Sequence, residues 1–97
     1  MANPQKENGY TVLANEILDA LCRTRISGEA RQVFDVILRK TYGYHKKEDR
    51  ISLSQFRLST GLDQKGVCRA IKKLVSHNLI FRKTTKSETI YSINKNY

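Results

Sequence analysis

The sequence predicts an α+β fold, mostly helical and closed by a C-terminal β-hairpin, and three observations carry that prediction. Apolar residues recur at helical spacing in the stretches around Leu13 to Leu21, Val33 to Thr41 and Val67 to Leu74. After Asn78 the period changes from helical to alternating, in two β-rich runs. Serine, aspartate and glycine stand where helices start and stop. A chain of 97 residues supports one hydrophobic core, so these elements belong to one domain, expected over residues 10–95 behind a flexible tail of residues 1–9 that holds the only proline, Pro4.

Each element has its own warrant. Thr11 is the expected N-cap of a first helix whose apolar positions are Leu13, Ile17, Leu18 and Leu21. Ser27 starts a second helix with the stripe Val33, Phe34, Ile37, Leu38 and Thr41, ended by Gly43, while Arg31, Asp35 and Arg39 face water. Ile51 and Leu53 alternate with serines as a short strand would. Ser54 can cap a short third helix, Gln55 to Thr60, that stops at Gly61. Asp63 caps a fourth helix running to about His77, with Val67, Ala70, Ile71 and Leu74 on one face and Gln64, Lys65, Cys68, Arg69, Lys72 and Lys73 on the other. Leu79 to Phe81 and Thr89 to Ile93 form the hairpin, joined through the polar Thr84 to Ser87. Two helices joined by Gly61-Leu62-Asp63 make a helix-turn-helix, and the hairpin that follows makes it a winged helix-turn-helix.

Charge points to the partner. Residues Met1 to Asp49 carry 8 basic and 7 acidic side chains, while Arg50 to Tyr97 carry 10 basic and 2 acidic. A merely soluble basic surface would spread its charge evenly; this one concentrates it on the helix-turn-helix and wing, as a polyanion-binding surface does. A major groove about 12 Å wide admits one helix, and the fourth helix suits it. Gln64 can pair with adenine, Lys65 with guanine or phosphate, and Arg69 offers a fork that matches guanine. Lys72 and Lys73 are placed to hold phosphates, with Arg82, Lys83 and Lys86 of the hairpin flanking the duplex. Ser54 and Gln55 could hold a further phosphate at a helix N-terminus, and Cys68 is small enough to let the helix approach. Taken singly, each lysine is equally well a solvated surface residue; their shared register on one face makes the case.

Other classes are excluded or disfavoured. Cys22 and Cys68 are 46 residues apart with no CxxC pair, so they read as reduced thiols, not as a disulfide framework or zinc site. His45 and His77 have no partner at ligand or general-base spacing, and neither a glycine-rich phosphate loop nor a nucleophile constellation is present, so no cofactor, no metal and no enzymatic activity are expected. No apolar run is long enough for a membrane span, which predicts a cytoplasmic protein.

The stretches NGYTVLANEILDAL from Asn8 and ILRKTYGYHKKEDRISLSQF from Ile37 resemble the N-terminal domain of the bacteriophage replication protein O family. The resemblance covers roughly Asn8 to Ile80. It implies a domain that recognises repeated sequences in a phage or prophage replication origin, often as a homodimer, in the host's nucleoid. It also implies that a separate C-terminal region, lacking here, recruits host helicase-loading machinery. The family framework corresponds to Tyr10, Arg39, Lys40, Thr41, Tyr42, Gly43, Asp49, Arg50 and Ile51, and its recognition helix to Asp63 through Ser76. Tyr44 stands where the family often has tryptophan, which suggests a packing role. Arg57 stands where a helix-turn-helix often has a small residue, and Gly66 lowers helix propensity in the recognition helix, either to bring backbone close to DNA or as a tolerated cost. Two alternatives remain: a winged-helix transcriptional regulator, and a protein-interaction module for an acidic partner.

Overall fold

Four amphipathic helices and three short strands share one core among residues 9–85 and 87–94, which the computed structural model describes. Helices α1 (Asn15–Arg23) and α2 (Gly28–Thr41) come first, followed by a 3-10 turn (Tyr42–Tyr44), strand β1 (Glu48–Arg50), helices α3 (Leu53–Thr60) and α4 (Gln64–Ser76), and strands β2 (Ile80–Thr84) and β3 (Thr89–Ile93). This is the expected winged helix. The expected N-terminal tail lies, but for Gly9, outside the described residues.

Helix starts are set by side-chain caps. Ser27 accepts from the Ala30 N–H at 3.3 Å, and Asp63 accepts from the Gly66 N–H at 2.7 Å, each satisfying a donor that the helix itself leaves orphaned. The third helix is capped by Ser52, not Ser54. The Ser52 hydroxyl accepts from the Gln55 N–H at 3.2 Å, and the Gln55 side chain accepts from the Ser52 N–H at 2.8 Å. That reciprocal capping box draws Leu53 and Ser54 into the helix, so the strand expected at Ile51 and Leu53 does not form there. The first helix begins at Asn15, with no side-chain cap. Thr11 therefore is not its cap, and Leu18 is exposed where a core position was expected.

The core is built on α2. Ala30, Val33, Phe34, Ile37, Leu38 and Thr41 are buried, and they face Val67, Ala70, Ile71 and Leu74 of α4, all buried as the helical spacing predicts. Thr41 is the one polar side chain among the described buried residues; its hydroxyl donates to the Ile37 carbonyl at 2.7 Å, so no orphan group is buried with it. Helix α2 ends at Thr41, two residues before the expected stop at Gly43. The Lys46 N–H closes back on the Thr41 carbonyl, and the left-handed residue is His45 (φ 58°), not Gly43. A Cβ at Gly43 would lie 2.7 Å from Nη1 at the tip of the flexible Arg39 side chain, a contact that side chain can relieve by moving.

The sheet holds a strand that local pattern does not announce. Its order is β1-β3-β2, antiparallel throughout, with Asp49 and Arg82 on either side of Tyr91. Glu48-Asp49-Arg50 has neither β-branched residues nor apolar alternation; pairing with β3 alone makes it a strand. From the sheet, Tyr91 packs edge-on against Phe56 of α3, ring centroids 5.2 Å apart, tying the wing to the helix-turn-helix. Ile26 packs against the core, whereas Val12 is exposed. Tyr44 is also exposed; its ring carries the Arg39 guanidinium at 4.9 Å, a cation–π contact in place of core packing.

Phe56→Ala removes a fully buried ring at the junction of wing and helices and should lower unfolding free energy by about 3–5 kcal/mol. Ser52→Ala, which removes one capping partner, should cost about 1 kcal/mol. Urea unfolding monitored by circular dichroism measures both, and equal losses would contradict this division between core and cap.

Candidate nucleic-acid interface

At about 100° per residue, the buried stripe of α4 turns Lys65, Arg69, Lys72 and Ser76 away from the core. Lys73 lies on the flank toward α2, and Gln64 and Cys68 lie on the other. Gln64, Lys65, Arg69, Lys72 and Lys73 are all exposed, and Cys68 is half-buried. Asp63, Gln64, Lys65 and Cys68 together line a shallow depression at the start of the helix. Of the six side chains named from the sequence, Lys65, Arg69 and Lys72 share the outer face, while Gln64 and Cys68 lie on one flank and Lys73 on the other.

Arg69 is not an unengaged cation. Its Nε donates to Glu29 Oε1 at 3.0 Å and its Nη2 to Oε2 at 3.2 Å, a two-point clasp across α2 and α4. Glu29 sits in the first turn of α2, where Ser27 starts the helix. Its carboxylate lies 3.3 Å from where a Cβ on Gly66 would be. Gly66 is buried, and a Cβ there would also lie 3.0 Å from Oδ1 of the cap Asp63, so two carboxylates crowd the space beside it. The hydrogen bonds from Arg69, with the charges of Arg69 and then Lys73, hold the Glu29 carboxyl below its ordinary value against some desolvation and the charge of Asp63. The Arg69 guanidinium is correspondingly raised by the Glu29 hydrogen bond.

Glu29 was invisible as a site residue in the sequence. An acidic residue in a helix's first turn is fully explained by the helix dipole, and its partner is 40 residues away.

The wing divides its cations. Strand alternation puts Arg82 on the sheet face of Tyr91, its cross-strand partner, and puts Lys83 on the opposite face with Ile90. Burial pushes the Tyr91 hydroxyl above its usual value, the charge of Arg82 opposes that rise, and Cys68 adds to it. Tyr91 thus shares an electrostatic neighbourhood with Arg82 of the wing and Cys68 of α4. Lys83 is exposed but belongs to the other surface. Lys86, at the hairpin tip, lies outside the described residues.

The N-terminus of α3 meets the turn end of the wing in a cleft lined by Arg50, Ser52, Gln55, Glu88 and Tyr91 among others. Ser54 and Gln55 sit in the first turn of the helix, but the side chain and N–H of Gln55 are both engaged in the capping box. Across the cleft Arg50 pairs with Glu88 at 2.6 Å. The second helix-turn-helix departure, Arg57, is exposed.

Among the described residues, no group of three or more His, Cys, Asp or Glu side chains could hold a metal ion, and no helix is long and apolar enough to cross a membrane. Cys22 and Cys68 are free thiols.

A family model for bacteriophage replication protein O matches residues 3–97. The chain is 37% identical over 87 residues to Replication protein 15 of Enterobacteria phage phi80, covering 90% of this chain and 29% of that protein. It is 38% identical over 74 residues to Replication protein O of Escherichia phage lambda, covering 76% of this chain and 22% of the relative. The chain thus spans less than a third of the length of either. No solved structure matches it.

Because the Glu29 carboxyl is held below its ordinary value in the folded chain, its pairing with Arg69 favours folding above the unfolded carboxyl range and is lost as pH falls through the folded value. The difference in thermal midpoint between wild type and Glu29→Gln should be constant around neutral pH and should close as pH drops below 4.5, the ordinary value. A difference that persists unchanged in acid would mean that the ion pair does not form in solution.

Proposed function

The chain belongs to the bacteriophage replication protein O family, and from that premise we propose that it binds duplex DNA sequence-specifically at a phage or prophage replication origin and so helps to initiate replication. The observation that carries the reading is the cationic outer face of α4, with Lys65, Arg69 and Lys72 exposed opposite a continuous buried stripe. A helix so placed, second in a helix-turn-helix, fits the major groove with its first turns toward the base edges. Gln64, Lys65 and Arg69 occupy those turns and are assigned to base edges. Lys72 and Lys73, further along, are assigned to phosphates. Cys68 offers little bulk between them.

The wing adds a contact from Arg82, on the sheet face shared with Tyr91. Lys83 and Lys86 contribute charge that draws the duplex in. Of the α3 N-terminus, Ser54 supplies a hydroxyl toward a phosphate, while Gln55 serves chiefly as the cap. The family also supports paired copies on repeated sites, acting in the bacterial host's cytoplasm on nucleoid DNA. The matched segment covers less than a third of either relative, and engagement of helicase-loading machinery is assigned to none of the residues described above. No chemical step is assigned to the domain itself.

Titration into labelled phage-origin repeat and scrambled duplexes at two salt concentrations tests the reading. Selective binding that weakens with salt is expected. Replacing Lys72 by alanine should flatten the logarithmic salt dependence by about one unit without changing selectivity. Arg82→Ala should weaken binding more than Lys83→Ala, because the two side chains leave opposite faces of the strand. Equal binding to both duplexes would reduce the domain to a general DNA binder, and absence of binding would favour a protein partner.

A further inference from the structure

We infer that Glu29 is a specificity-determining positioning residue: it holds the Arg69 guanidinium so that its outer edge meets the two acceptors of a guanine in the major groove. The inference rests on the DNA-binding reading above and adds a residue outside the recognition helix to it.

The geometry is that of a buttress. Glu29 occupies Nε and one side of Nη2. The remaining N–H groups, on Nη1 and the far side of Nη2, have no acceptor among the described residues and form a flat two-donor edge. Guanine presents O6 and N7 to such an edge, and arginine is the side chain that pairs with both. An unbuttressed arginine on a helix surface samples many rotamers, and fixing one of them is a cost that the clasp meets before DNA arrives.

The clasp has no comparable role in holding the fold. Helices α2 and α4 are already joined through Val33, Phe34 and Ile37 on one side and Val67, Ala70 and Leu74 on the other, all at most 2% exposed. Arg69 is 63% exposed, and exposed ion pairs contribute little to stability. The Glu29 carboxylate rests against the start of α4, its Oε2 3.3 Å from where a Cβ on Gly66 would lie.

Charge chooses between the two acceptors that DNA offers. A carboxylate in contact with the guanidinium cancels its charge and repels a phosphate brought to the same place, but it does not repel the neutral edge of a base. Arg69 is thereby withheld from indiscriminate backbone binding, which Lys72 and Lys73 can supply. Lys73 also contributes to the field at Glu29, so the carboxylate remains charged throughout the neutral range and the clasp does not depend on pH there.

Selection from a randomised duplex library, performed with wild type, Arg69→Lys, Glu29→Ala and Glu29→Gln, tests this, with thermal melting to establish that each variant is folded. The wild type should enrich a motif containing a guanine column. Arg69→Lys keeps the charge but not the fork, and should flatten that column alone. Glu29→Ala should flatten the same column, lowering discrimination for that guanine by about tenfold, while binding to scrambled duplex strengthens because a cation has been released. Glu29→Gln should fall between the two. A Glu29→Ala motif identical to wild type would overturn the role of Glu29, as would uniform loss across all columns, the mark of general destabilisation. An unchanged motif in Arg69→Lys would make residue 69 a phosphate contact and overturn the guanine assignment. A wild-type chain that enriches no motif would refute the DNA reading itself and this inference with it.

Discussion

The buried stripe of α2 lies against α3, α4, β1 and β3 at once, and every candidate binding residue is positioned relative to it. Because Ala30, Val33, Phe34 and Ile37 must meet Val67, Ala70, Ile71 and Leu74 to leave water, the rotation of α4 about its own axis is determined. Its opposite face, with Lys65, Arg69 and Lys72, has nowhere to go but solvent. The same stripe receives β3, so the wing is anchored to the platform that orients the recognition helix. Tyr91 and Phe56 make the second half of that anchor, with one ring from the wing and one from α3.

Electrostatics then differentiates residues that packing alone leaves equivalent. Ten cations crowd the second half of the chain, but they do not act as one cloud. Arg50 is paired with Glu88 and Arg69 with Glu29, while the lysines of α4 have no such clasp among the described residues. Arg82 and Lys83, adjacent in sequence, leave opposite sheet faces. A basic surface built this way can separate general attraction from reading: point charges on flexible lysine stems serve the first, and a planar fork held in place serves the second.

The fold was largely legible in the residues themselves. Helical spacing marked the stripes of α2 and α4 except for the small Ala30 and Gly66, which are buried as well, alternation located β3 at Thr89 to Ile93, and Asp63 and Gly61 bracketed the turn. These signals are local: a cap, a glycine at positive φ, or a period of 3.6 or 2 depends only on near neighbours. Errors arose where two local signals competed. Ser52 and Ser54 both precede the third helix, and the capping box with Gln55, three residues after Ser52, decided for the earlier one. Leu18 matches the apolar period of α1 but stays exposed, because a short helix at the edge of the core buries only Ile17 and Leu21 among its own residues.

What the sequence by itself determined is therefore the order of elements, the faces that α2 and α4 bury and the part of the chain in which positive charge accumulates, all functions of spacing along the backbone. What tertiary structure alone decided is which residues meet across that spacing: a charged tripeptide became β1 because β3 offered it hydrogen bonds, Gly66 came to lie beside the Glu29 carboxylate, and Glu29 came to hold Arg69. Those pairings join positions about 40 residues apart, and no local pattern records a contact that exists only after the core has brought its two halves together.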